Sequence, residues 1–291
     1  FNLLAITIFG IPTVLFFKIN LSKKILIISS TFLFIFSIYI YGTFSINKNK
    51  GLINYLDNNK KIYTKVISPN FELKYNSSID EVEKKLKKLV KYSDPDQKKA
   101  TLFIWPEGVF TGFNFSEISQ FSNLIKDNFN ENHLILFGIN TVDRNSQGYF
   151  NSLVIVDNEF KILHQYNKKK LVPFGEFLPF EKFLNKLGLK KITQGHGSFL
   201  EGKIQENIVL NNLNILPLIC YEIIFPELTQ QASSKTNLIV NISEDGWFGN
   251  SIGPHQHFAK AIFRSIENNS FLVRSANKGI SAIISNKGEI T

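Results

Sequence analysis

The sequence predicts a layered α/β domain preceded by two membrane-crossing helices, and three observations lead there. The first 44 residues hold almost no charge, whereas the rest is rich in Lys, Asn and Glu. Beyond residue 51, short apolar runs alternate with helical stretches, with no internal repeat and no low-complexity linker, over about 240 residues, a size that suits one domain. Finally, 44% hydrophobic and 20% charged residues supply a large core, which excludes a disordered or fibrous chain.

Residues 1–17 and 25–44 each lack any charged side chain, and each run is near the length that crosses a hydrocarbon core of roughly 30 Å. A secretory signal would open on Met and a basic stretch and close on a small-residue cleavage site, and the first run has none of these. A buried core helix is the bland alternative for the second run. Lys18, Lys23 and Lys24 fall between the runs, and short Lys-rich loops stay in the cytoplasm, so everything after Phe44 is expected outside it. The absence of any Met, and a chain end at Thr291 soon after an Asn286-Lys287-Gly288 turn, imply a piece of a longer, multi-pass protein. The expected organisation is a membrane segment over 1–44, a linker over 45–61 and a C-terminally cut domain over 62–291.

Within that domain, 61–68 reads as a strand. Ser78-Ile79-Asp80-Glu81 fits a capping box, and Ile79, Val82, Leu86, Leu89 and Val90 then line one face of an amphipathic helix. Further strands are expected at 100–105, 133–140, 152–157, 161–166, 208–210, 213–220, 237–243, 271–276 and 279–285, and helices at 115–129 and 255–268. Asp157-Asn158-Glu159 and Asn211-Asn212 have the composition of hairpin turns.

Three polar residues stand where apolar strands end: Glu107 after Leu102-Phe103-Ile104-Trp105-Pro106, Lys168 after the strand at 161–166, and Cys220 after Leu216-Pro217-Leu218-Ile219. Loops at strand ends are where scaffolds place catalytic groups. A thiol is a strong nucleophile only as thiolate, which a nearby cation favours, and a carboxylate can take the proton and return it to a leaving group. Cys220, Lys168 and Glu107 therefore form a complete set for acyl transfer, and the lysine can also face an oxyanion. Each has a plainer reading: the cysteine as a small buried hydrophobe, Lys168-Lys169-Lys170 as a solvated basic turn, Glu107 as a cap. Composition and spacing leave open whether the three meet. Cys220 is the single cysteine, which excludes an intrachain disulfide and gives any thiol chemistry one candidate. A formal charge of +9 fits an anionic membrane surface or an acidic partner, and equally a Lys-biased solvated surface.

The ordered blocks Trp105-Pro106-Glu107, Tyr166-Asn167-Lys168 leading into Leu171-Val172-Pro173-Phe174-Gly175-Glu176, and Cys220-Tyr221-Glu222 resemble the nitrilase, or carbon-nitrogen hydrolase, superfamily. Leu178-Pro179, Phe225-Pro226-Glu227, Tyr149-Phe150-Asn151-Ser152, Asn241-Ile242-Ser243 before Asp245-Gly246-Trp247-Phe248-Gly249, Gly253-Pro254-His255-Gln256-His257 and Arg274-Ser275-Ala276-Asn277 narrow the resemblance to the apolipoprotein N-acyltransferase family, over roughly 66–288. The resemblance implies a nitrilase-like four-layer α-β-β-α sandwich, with Cys220 as nucleophile, Glu107 as general base and Lys168 steadying the tetrahedral intermediate. Glu176, Tyr221 and Glu222 match positions that support the site or its substrate. The implied reaction has two steps: an acyl chain passes from a phospholipid to the cysteine, then to the N-terminal amine of a diacylglyceryl-cysteine lipoprotein. No metal or organic cofactor and no nucleic acid is implied. The expected setting is the bacterial inner membrane, as a monomer, with the catalytic domain on the periplasmic side.

Four positions depart from that family's pattern: Ser68 where glutamine is usual, Tyr75 where tryptophan often stands, and Glu244 and Gly246 in place of Asn and Ala. None belongs to the triad. His255 and His257, two apart on a helix, point to different sides without a cluster of further ligands, which argues against a metal. Gly195-His196-Gly197 lacks the lysine and the strand-to-helix setting of a phosphate loop. The Phe- and Leu-rich stretch 174–189 suits core packing or a lipid-touching lid equally. Two other functions fit the same residues: a membrane-tethered amidase acting on a small carbon-nitrogen substrate, and a catalytically dead binding module, against which the retention of all three residues argues.

Overall fold

The computed structural model describes residues 2–49, 62–74, 77–180, 197–203, 207–210, 213–230 and 236–291, and the chain divides into two compact units, 1–50 and 51–291. Tyr75, the Asn211-Asn212 turn, His196 and residues 181–189 lie outside the described residues.

In the N-terminal unit, α1 (Asn2–Gly10) passes into a 3₁₀ segment at Ile11–Phe16, and α2 (Leu21–Lys48) follows. Among the described residues α2 alone is long and apolar enough to cross a membrane, with a mean hydropathy of 2.0. Of the two expected spanning helices, the second is present, and the first run forms a short apolar helix that passes into a tighter coil. Pro12 has no N–H to give the carbonyl four residues back, and its ring crowds that carbonyl, so α-geometry stops there. The second helix is longer than expected: it takes Lys23 and Lys24 into its first turn and runs past Phe44 to Lys48. Phe32, Leu33, Phe34 and Tyr41 are all exposed along it, an apolar surface suited to lipid rather than water.

The larger unit contains two five-stranded sheets. In the first, β1 (Tyr63–Val66), β2 (Thr101–Ile104) and β3 (His133–Val142) run parallel, and β4 (Tyr149–Val156) and β5 (Ile162–Asn167) extend it antiparallel. In the second, β6 (Ile208–Leu210) pairs antiparallel with β7 (Leu213–Ile219), β8 (Leu238–Glu244) and β9 (Phe271–Asn277) run parallel to β7, and β10 (Ala282–Ile284) closes antiparallel.

Alternation along these strands builds the layers. Phe103 and Trp105 face a core beneath α3 (Ile79–Ser93), where Val82, Leu86 and Leu89 pack, while Leu102 and Ile104 point between the sheets. In the second sheet Ile215, Ile219, Val240 and Ile242 meet them there, and Leu216, Leu218 and Ile239 turn outward to Phe258 and Ala261. Burial on both faces is why these strands read as unbroken apolar runs. The outcome is the α-β-β-α sandwich.

Local chemistry sets the helices. Ser78 caps α3 as expected, accepting from Glu81 N–H at 3.3 Å while Glu81 accepts from Ser78 N–H at 3.0 Å. The helix expected over 115–129 is instead broken into α4 (Phe115–Ile118), a 3₁₀ turn and α5 (Ser122–Lys126). Ser119 and Gln120 side chains bond the carbonyls of Ser116 and Glu117, at 2.7 and 2.5 Å, and so compete with continuous helix. Two further helices, α6 (Pro226–Gln230) and α7 (Gly253–Glu267), complete the second outer layer.

Candidate active site

The strand ends of both sheets meet at one rim. β2 delivers Glu107, β5 delivers Lys168, β7 delivers Cys220 and β8 ends on Glu244. A cavity of about 420 Å³ opens there, lined by Glu107, Lys168, Cys220, Glu176 and Tyr221. Of the six residues singled out in the sequence, Glu222 alone is not in the lining.

Lys168 is 1% exposed, not a solvated turn residue. Its Nζ donates to Glu176 Oε1 at 2.8 Å and lies 3.6 Å from Glu107 Oε1. Asn151 Nδ2 donates to the same two oxygens, at 2.7 Å and 2.8 Å respectively. The remaining oxygens accept backbone N–H groups: Glu107 Oε2 from Glu244 at 3.1 Å, Glu176 Oε2 from Val172 at 2.9 Å. Burial works to lower the ammonium pKa, but Glu176 and Glu107 beside it outweigh burial and raise it, so the lysine stays a cation. One ammonium is thus held rigidly between two carboxylates.

Cys220 opens a 3₁₀ turn at Cys220–Ile224 with φ +50°, a left-handed backbone uncommon outside glycine. Ser243 Oγ donates to its Sγ at 3.4 Å. Burial and the charge of Glu107 push the thiol pKa up against the pull of Lys168, so the resting proton sits on sulfur. A reaction that needs thiolate must remove that proton at the moment of attack, a task for a carboxylate of the same cavity.

Glu222 lies behind the cavity and ties two strand ends together. Its Oε1 accepts from Tyr166 Oη at 2.9 Å and from the Lys169 and Lys170 N–H groups at 2.7 and 3.0 Å. Its Oε2 accepts from Ile219 N–H at 2.8 Å, so the segments bearing Lys168 and Cys220 share one carboxylate. Burial raises the Glu222 pKa, with the Ile219 N–H opposing.

A second buried group holds the backbone of Cys220, and sequence reasoning missed it. His257 Nε2 meets Cys220 O at 3.1 Å and its Nδ1 meets Asp245 Oδ1 at 2.9 Å. Arg274 Nη2 reaches both Asp245 oxygens, at 3.0 and 2.8 Å. Burial opposes ionisation of Asp245, yet the His257 hydrogen bond and Arg274 hold it below the usual carboxylate range. These residues, and Asn151, stand inside quoted sequence blocks, which mark positions without saying what they touch. His255 is exposed on the other side of α7, and among the described residues no group of three His, Cys, Asp or Glu could hold a metal.

The family model described as carbon-nitrogen hydrolase matches residues 73–291. The chain is similar to the apolipoprotein N-acyltransferase of Rhizobium leguminosarum bv. trifolii, 36% identical over 198 residues, covering 66% of this chain and 37% of that protein. It is likewise similar to that of Brucella suis biovar 1, 30% identical over 260 residues, covering 86% of this chain and 48% of that protein. The chain thus spans less than half the length of these curated relatives. In structure it resembles a carbon-nitrogen hydrolase from Helicobacter pylori G27, with TM-score 0.55 and 17% identity over 79% of this chain and 83% of that one. Saccharomyces cerevisiae Nit3, a member of branch 10 of the nitrilase superfamily, matches at TM-score 0.55 and 16% identity over 80% and 85%. Those likenesses speak for the fold alone. The matched stretch carries Glu107, Lys168, Cys220 and the cavity around them, and the chain belongs to the carbon-nitrogen hydrolase family.

Proposed function

We propose that this chain is the catalytic part of an apolipoprotein N-acyltransferase, which moves a fatty acyl group from a phospholipid through a Cys220 thioester to the N-terminal amine of a diacylglyceryl-cysteine lipoprotein. The observation that carries the reading is the meeting of Glu107, Lys168 and Cys220 in one cavity whose other walls include Phe110, Ile139, Phe199 and Trp247. At about 420 Å³ the cavity is within the size range of ligand pockets. The names of the relatives point the same way.

In the first step Glu107 takes the thiol proton as sulfur attacks the ester carbonyl, and the Lys168 ammonium faces the oxyanion. Collapse breaks the C–O bond, leaves the acyl group on sulfur, and returns the proton from Glu107 to the departing lysophospholipid alkoxide. In the second step the acceptor nitrogen attacks the thioester, a C–N bond forms, and the C–S bond breaks. A proton from nitrogen passes by Glu107 to the cysteine. Glu176 and Asn151 hold lysine and base in register, and Tyr221, 37% exposed beside the nucleophile, is placed to meet substrate. The apolar α2 supports a membrane setting, and the lysines before and at its start favour a catalytic unit outside the cytoplasm.

The test supplies the full-length protein in detergent with a phospholipid carrying labelled acyl chains and a synthetic diacylglyceryl lipopeptide. Label is expected on the lipopeptide, and neither Glu107→Ala nor Cys220→Ala should transfer it. Hydrolysis of small amides with no transfer to the lipopeptide would identify a membrane-tethered amidase instead.

A further inference from the structure

One buried acid of the cavity is unused by these steps. Glu244, 2% exposed, ends β8 and lines the same cavity as Cys220 and Glu107. Its Oε1 accepts from Gly246 N–H at 2.7 Å and its Oε2 from Asn277 Nδ2 at 2.6 Å. Its main chain touches both reacting groups, with its N–H 3.1 Å from Glu107 Oε2 and its carbonyl oxygen 3.9 Å from Cys220 Sγ. Gly108 makes room for it, since a Cβ there would stand 2.7 Å from Glu244 Oε2.

The charged and titratable groups around Glu244 are Glu107, Cys220 and Lys168 across the cavity, Asp245 next in the chain, Lys278 past β9 and Lys85 of α3. None of the cations forms an ion pair with it among the described residues. Burial raises its carboxyl to about 7, Asn277 and Gly246 opposing, and the charges of Glu107 and Asp245 reinforcing.

An amine acceptor gives such a group something to do. An α-amine has an ordinary pKa of roughly 7.7–8.0, so it arrives at neutral pH mostly as an ammonium. To become an amide the ammonium loses two protons, and Glu107 can deliver only one of them to the cysteine sulfur. Water as acceptor brings no such extra proton.

We propose that Glu244 is the second base of the transfer step, taking the first proton of the ammonium acceptor; this rests on the acyl-transfer reading. The N–H bond of the ammonium breaks to leave a neutral amine and a protonated Glu244. The amine attacks the thioester carbonyl, the C–N bond forms, and the C–S bond breaks. The second nitrogen proton moves through Glu107 to sulfur, and Glu244 releases its proton to solvent as product leaves. A buried carboxylate on the wall of the same cavity also favours a cationic acceptor over a neutral one, which fits a site that transfers rather than hydrolyses.

The test isolates the second step. Acyl-enzyme is formed on full-length wild type and Glu244→Gln with phospholipid, then chased with a lipopeptide amine or with hydroxylamine, a nucleophile uncharged at neutral pH. At pH 7 roughly one in six to one in eleven such amines is neutral, so the ratio of amine to hydroxylamine transfer is expected to fall about five- to tenfold in the variant and to return to the wild-type ratio by pH 9. Glu244→Asp, which keeps a carboxyl, should hold a ratio between the two. An unchanged ratio at pH 7, or a fall that persists at pH 9, overturns the proposal. A wild type that never forms acyl-enzyme sinks the acyl-transfer reading itself, and is read before the chase begins.

Discussion

Lys168 is the residue on which the site turns, because burying an ammonium at 1% exposure is tolerable only when carboxylates surround it. Removing it leaves Glu107 and Glu176 sharing Asn151 alone, and in the proposed reaction strips the oxyanion of its cation. Lys168→Ala is therefore expected to slow acylation by about 10²–10³-fold, measured as single-turnover thioester formation. A loss below about fivefold would remove the lysine from the chemistry. Sequence pattern placed Lys168 at a strand end but within three consecutive lysines, which read as solvated. Its burial depends on Glu107 and Glu176, and on Glu222 gripping the next two backbone N–H groups, none of which spacing can show. Glu244 carries a second prediction at this scale. Its folded pKa of about 7 lies above the ordinary 4.5, so the folded chain binds a proton that the unfolded chain has released. The stability from that proton is full below about pH 4.5 and lost as pH rises through 7, amounting to roughly 3 kcal/mol at most. The Tm of Glu244→Gln relative to wild type should therefore rise by several degrees between pH 5 and pH 8; a constant difference would contradict the shift.

At the scale of elements, legibility followed local chemistry. The helix α3 could be read from its capping box and apolar period because both act within the element itself. The stretch 115–129 could not, since Ser119 and Gln120 settle a competition between side chain and backbone that periodicity does not weigh. In the first apolar run composition shows the apolar helix but not the change to a 3₁₀ coil at Pro12. Close approach of elements is hidden altogether. Gly138 of β3 sits so near the loop that carries Glu107 that a Cβ would fall 2.9 Å from Glu107 Cα and 3.1 Å from Ile242 Cδ1. Gly138→Ala is expected to displace the base and lower acylation about tenfold or more, with Cys220 still in place. Full activity in that variant would show that the loop can retreat at no cost.

For the whole molecule, two sheets packed face to face bring residues more than a hundred positions apart to one rim, and a helix suited to lipid stands in the other unit. The sandwich was legible through resemblance more than through period, because strands buried on both faces give no alternation to read. Glu107, Lys168 and Cys220 were legible as three strand ends, though not their meeting in one cavity, and the surrounding Asn151, Asp245, His257 and Arg274 were not, because a buried polar side chain is defined by partners distant in sequence. Replacing Phe34 and Ile35 in α2 by Lys should cost roughly 3–4 kcal/mol each in membrane insertion, and is expected to shift this chain out of the membrane fraction. Unchanged fractionation would mean that α2 is no anchor.

The measurement that bears most directly on the central claim is the intact mass of the full-length, detergent-purified protein after incubation with phospholipid, with and without hydroxylamine, beside Cys220→Ala. A fatty-acyl increase that hydroxylamine removes and that the variant lacks is the predicted result. A wild type that gains no acyl mass, or a Cys220→Ala protein that gains the same mass, would contradict it.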